Sequence, residues 1–152
     1  MAEEREELLK KISATVSRKA CLVEDGFPEY VLSRLETAGY KADVNDAFAI
    51  AFGILAADED ICNACNQRAI PNGLFMAAVD QMAGRILNDM YSAGRLDIET
   101  LDLSGIVTSV KEGDTAVSFD KDASDSDKFT AAVSIMMNRG KDKYACYRRL
   151  RW

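Results

Sequence analysis

The chain has 152 residues, 48% of them hydrophobic and 29% charged, with a formal net charge of −6. That length suits one domain able to fold without a metal or disulfide, and the composition excludes wholesale disorder. The acidic balance argues against a general nucleic-acid binder. The absence of histidine removes the commonest general base, the commonest metal ligand and every Ser-His or Cys-His nucleophile.

The pattern predicts a mainly α single domain over 1–152, a helical bundle of about five helices with one small β-hairpin near residues 105–120. It divides into an N-terminal helix and connection (1–26), a helical core (27–94), a hairpin region (95–123) and a C-terminal helix with a basic-aromatic tail (124–152). The charged opening, Met1-Ala2-Glu3-Glu4-Arg5-Glu6-Glu7, lacks the apolar stretch of a secretory leader. No run approaches the ~18 apolar residues needed to span a bilayer. With four cysteines and these features, a reducing cytoplasm, free thiols and no membrane association are expected.

The first helix is expected from about Ala2 to Arg18, with Leu8, Leu9, Ile12 and Val16 at helical spacing and glutamates at the positive end of its dipole. Gly26 marks a turn. Pro28 suits the start of a second helix carrying Tyr30, Val31 and Leu35, which Gly39 ends. Asp43 and Asp46 then form a capping-box-like start to a third helix that runs to about Cys65. This is the most hydrophobic element. Phe48, Ala51, Phe52, Leu55 and Cys62 form one stripe and Ile50, Ile54, Ala57 and Ile61 another, so both faces need covering, by the same domain or by a neighbouring subunit.

After a turn-rich connection, a fourth helix is expected from Leu74 to Ala93, with Phe75, Val79, Met82, Ile86 and Met90 on one face and Gly94 closing it. The runs Ile106 to Val110 and Ala116 to Phe119 alternate apolar residues about Glu112-Gly113-Asp114, which predicts the hairpin. Ser124 and Asp127 start a last helix bearing Phe129, Ala132, Val133, Met136 and Met137, with Gly140 as its stop. The remaining segment suits a short helix or an extended tail.

Few motifs carry chemistry, and no cofactor is expected. Cys62-Asn63-Ala64-Cys65 has redox or half-zinc spacing, but no second pair or histidine completes a zinc site. It also falls at the end of a helix, where the dipole does not lower a thiol pKa. Buried thiols used as small hydrophobes are the simpler reading. Asp58-Glu59-Asp60 fans out around a helix, which suits a solvated acidic face or a channel lining rather than an ion site. The Asp120–Asp127 stretch lacks the glycine and terminal glutamate of a calcium loop and reads as a polar loop.

The tail is the most informative feature. Tyr144, Tyr147 and Trp152 interleave with Arg148, Arg149 and Arg151, residue types enriched at interface hot spots. The same composition would suit single-stranded nucleic acid or, more blandly, a solvated terminus.

Three features together resemble the small head-to-tail connector (adaptor) proteins of tailed bacteriophages and related prophages. They are the Asn66…Ile70-Pro71…Gly73-Leu74 connection, the hairpin from Val110 to Phe119, and the closing Tyr147-Arg148-Arg149-Leu150-Arg151-Trp152. The resemblance covers Phe27 to Trp152. It implies a structural, non-enzymatic homo-oligomeric ring between the portal protein and a downstream neck or tail protein. DNA would pass through the channel without sequence-specific binding. Location in the virion neck, after assembly in the bacterial host cytoplasm, is implied too. By the same resemblance, Tyr144, Tyr147, Arg148, Arg149, Arg151 and Trp152 would contact the portal or a neighbouring subunit, and Lys111, Gly113 and Asp114 of the hairpin a neighbouring subunit or the tail side. The rival expectation is a small helical regulatory or nucleic-acid-binding module using the basic tail.

Overall fold

The computed structural model describes residues 2–17, 26–110 and 124–150. Helix α1 (Ala2–Ser17) buries Leu8, Ile12 and Val16, the stripe its spacing foretold, and packs on α3 (Ala47–Cys65). Helix α2 (Phe27–Thr37) places Pro28 in its first turn and buries Phe27, Val31, Leu32 and Leu35. Gly39 follows at φ +97, a backbone conformation that a side chain would strain, and its bare Cα lies directly against the Thr100 carbonyl.

The capping box ahead of α3 is present. Asp43 accepts from the Asn45 amide at 2.6 Å, and Asp46 Oδ2 accepts from the Asp43 amide at 2.9 Å. Residues Val44–Asp46 form one 3₁₀ turn before α3 begins. Asp46 is buried because it does more than cap: Tyr40 donates its hydroxyl to Oδ2 at 2.8 Å, and Arg95 pairs with Oδ1.

Helix α4 (Phe75–Ser92) packs against α2, α3 and α6 (Asp125–Asn138) and buries Val79, Met82, Ile86 and Met90. Ser124 caps α6 by accepting from the Asp127 amide at 3.2 Å, and Phe129, Ala132, Val133 and Met136 fill its inner face. Together these side chains form one contiguous apolar core.

The expected hairpin needs correction. Residues Leu103–Val110 form a helix, α5, where the first strand was predicted, and no strand occurs among the described residues. The rest of that hairpin, including Lys111, Gly113 and Asp114, lies outside the described residues. A short β-branched run is ambiguous, because Leu103, Ile106 and Val107 fit helical spacing as well as Ile106, Thr108 and Val110 fit alternation. Asp102 starts the helix: its side chain accepts from the Gly105 amide at 3.0 Å and its carbonyl from the Ile106 amide at 3.0 Å. Burial of Ile106 and Val107, with α5 lying on α6, then outweighs a weak strand preference.

Candidate interaction surfaces

The two stripes of α3 meet different fates. Ile50, Ile54, Ala57 and Ile61 are buried, as are Ala51 and Cys62. Phe48 and Phe52, however, are 71% and 56% exposed, one helical turn apart and stacked with ring centroids 6.3 Å apart. Half-buried Leu55 and exposed Glu59 continue the same face. Helix α3, although strongly apolar, therefore turns an aromatic strip outward at its N-terminal end.

A second apolar surface lies where α2 and α4 begin. Phe75 stacks on buried Phe27 at 4.6 Å, and Tyr30 meets the Phe75 ring edge-on at 5.1 Å. Tyr30 and Met76 remain 53% and 56% exposed.

The C-terminal segment folds back beside this second surface. After α6, Gly140 takes φ +78 and lies against Leu74 and Ala77. A 3₁₀ turn (Lys141–Lys143) and the short helix α7 (Tyr144–Tyr147) follow. Tyr144 is half-buried and donates its hydroxyl to Gln81 Oε1 at 3.0 Å, while Gln81 Nε2 donates to the Arg139 carbonyl at 2.7 Å. Burial pushes the Tyr144 phenol above its ordinary pKa.

Residues 147–150 then run along the end of α3. Asn66 stops α3 in a left-handed conformation, φ 49, and its side chain donates to the Arg149 carbonyl at 2.8 Å. The Arg149 amide donates to the Cys65 carbonyl at 2.9 Å, Arg148 Nε to the Ala64 carbonyl at 3.1 Å, and Gln67 to the Tyr147 carbonyl. The Arg148 and Arg149 donors satisfy carbonyls that the end of a helix leaves open, and an arginine there suits the negative end of the dipole. Gly73 is needed for this docking, since its missing Cβ leaves room for the Tyr147 hydroxyl. The backbone of the predicted interface tail and the Arg148 Nε are thus spent on their own chain, while the Arg149 and Leu150 side chains and the rest of Arg148 stay exposed. Arg151 and Trp152 lie outside the described residues.

Between α3, α4 and the C-terminal segment lies a cleft of about 330 Å³ lined by Ala57, Asp60, Gln81, Arg85, Met137, Lys141 and Tyr144. Arg85 donates to Asp60 at 2.8 Å across it, and Gln81 pairs with Tyr144, so these polar groups satisfy one another.

Sequence reasoning missed the buried polar groups. Asp80 accepts from Arg34 of α2 at 2.7 Å and from Arg139 at the end of α6. Its signal was an aspartate and a glutamine, Asp80-Gln81, set within an otherwise apolar helix face. Asp58 departs from the solvated acidic face expected for Asp58-Glu59-Asp60. Glu59 and Asp60 are exposed, but Asp58 is fully buried, meeting Cys62 Sγ at 3.8 Å through Oδ1 and leaving Oδ2 without a hydrogen-bond partner.

Burial raises the Asp58 carboxyl to about pKa 7, with the Glu59 charge adding to it, and pushes the Cys62 thiol up to about 12. Cys65 is buried and raised for the same reason. Such thiols are poor nucleophiles, as the small-hydrophobe reading of the CxxC requires. Among the described residues no group of three or more acidic or cysteine side chains is placed to hold a metal ion, and no helix is long and apolar enough to cross a membrane.

Comparison with family models, curated proteins and solved structures finds no match to this chain.

Proposed function

We propose that the chain is a structural head-to-tail connector of a tailed phage or prophage, a non-enzymatic subunit of a ring that continues the DNA channel between portal and tail. The observation that carries this reading is the outward aromatic strip of α3. An exposed, stacked Phe48–Phe52 pair on a long, strongly apolar helix suits a surface that another subunit covers. The mainly helical architecture agrees, and the 66–74 connection and the 147–150 segment, two of the features that resemble connectors, lie side by side. The third feature, from Val110 to Phe119, lies outside the described residues except for Val110, which ends α5.

Light scattering and electron microscopy of the purified chain with a cognate portal test the reading. Rings seated on the portal are expected; a strict monomer that ignores the portal would sink it. The exposed Arg148 and Arg149 side chains keep one rival open, a helical nucleic-acid-binding module. That rival requires strongly salt-dependent DNA or RNA affinity that disappears on replacing Arg148, Arg149 and Arg151 with alanine.

A further inference from the structure

The two exposed apolar surfaces lie at opposite ends of the bundle. Phe48 and Phe52 occupy the first turns of α3, while Tyr30, Phe75 and Met76 belong with the end at which α3 stops and α4 starts. The 19 residues of α3 span about 28 Å between those ends.

The ends also differ in charge. The Phe48 end brings together the segments around residues 39–46 and 95–102, linked by the Asp102 amide donating to the Ala38 carbonyl at 3.0 Å and by the Arg95–Asp46 ion pair. Exposed Asp43, Asp97, Glu99 and Asp102 outnumber exposed Lys41 and Arg95 there, and Arg95 is paired with Asp46. The Tyr30–Met76 end carries the C-terminal segment, tied to it through Gly73 against Tyr147 and Gly140 against Leu74. Exposed Lys141, Lys143, Arg148 and Arg149 outnumber exposed Glu29 and Asp142 there.

We propose that copies of this chain associate end to end, the acidic Phe48–Phe52 surface of one copy seating on the basic Tyr30–Met76 surface of the next. The occupant is a second copy because the two surfaces complement each other twice, aromatic on aromatic and thioether, and negative on positive. Two different patches on one subunit make a heterologous contact, which closes into a ring or extends into a filament, whereas a single patch would make a self-paired dimer. The inference rests on the connector reading in one respect only, that the chain works by self-association. It needs neither portal nor DNA.

Mixing two variants tests the pairing, with mass read by light scattering. Phe48→Ser with Phe52→Ser removes one surface, and Tyr30→Ser with Met76→Ser removes the other. All four side chains are more than half exposed, so both variants are expected to fold. Wild type is expected to form assemblies larger than a dimer, growing with concentration and weakening with salt. Each variant alone is expected to stay monomeric, and an equimolar mixture to form a one-to-one dimer and nothing larger. Glu99→Lys, among the exposed acids at the Phe48 end, is expected to weaken wild-type association several-fold at low salt and less at high salt.

A monomeric wild type, a variant that assembles like wild type, or a mixture that stays monomeric would each overturn the proposal. Portal binding, measured separately, distinguishes it from the connector reading. Wild type that assembles end to end yet ignores the portal removes the connector and leaves the pairing. Rings on the portal built equally well by both variants do the reverse.

Discussion

Asp80 of α4 and Arg34 of α2 meet at 2.7 Å with the carboxylate almost wholly buried, and Arg139 reaches the other oxygen of the same carboxylate from the end of α6. One anion therefore fixes the positions of three helices. A buried ion cluster adds little over a well-packed apolar substitute, but removing one member leaves the others charged in a poor solvent. Asp80→Ala is expected to cost about 3–5 kcal/mol by urea denaturation. A loss near zero would mean that the arginines reach water freely.

Asp58 gives the opposite pH behaviour from a salt-bridged aspartate. Its folded pKa, about 7, lies above the ordinary 3.8, so the folded state holds the proton where the unfolded chain releases it. Stability from this group is complete below about pH 4 and is lost as pH rises through about 7. Asp58→Asn mimics the protonated form. It is expected to match wild type in acid and to exceed it above neutrality by a few kcal/mol, measured as unfolding free energy against pH. Equal curves for the two proteins would refute the burial argument.

The cysteines should divide by environment. Cys146 is exposed, whereas Cys62 and Cys65 are buried with raised pKa values. In a Cys21→Ser background, alkylation of the native protein at pH 8 is expected to modify Cys146 alone, with the other two reacting only on unfolding. Rapid labelling of Cys62 or Cys65 would revive a redox role for the pair.

Gly73 and Tyr147 form a space-filling pair that holds the C-terminal segment down. Gly73→Ala places a methyl group where the Tyr147 hydroxyl sits. It is expected to loosen the segment and speed tryptic cleavage after Arg148 and Arg149. Tyr147→Ala added to Gly73→Ala removes the overlap, so the two substitutions should be strongly non-additive. Additive effects would place the Tyr147 ring elsewhere.

Helical periodicity was enough to locate α1 to α4 and α6 in the sequence, because each carries a regular apolar stripe, and all but α1 are bounded by a proline, a capping side chain or a glycine. The lack of histidine likewise limits the available chemistry through composition alone. Tertiary contacts decided the rest. Residues 106–110 satisfied two periods at once, and only the α6 surface made the helix the better choice. The two stripes of α3 read alike as sequence; that one was wholly buried while the other kept Ala51 and Cys62 inside and left Phe48 and Phe52 in solvent depended on helices far away in the chain. Asp58 and Glu59 are adjacent, equally charged residues. One became a buried acid and the other a surface charge, because a helix turns by about 100° per residue and the core occupies only one side.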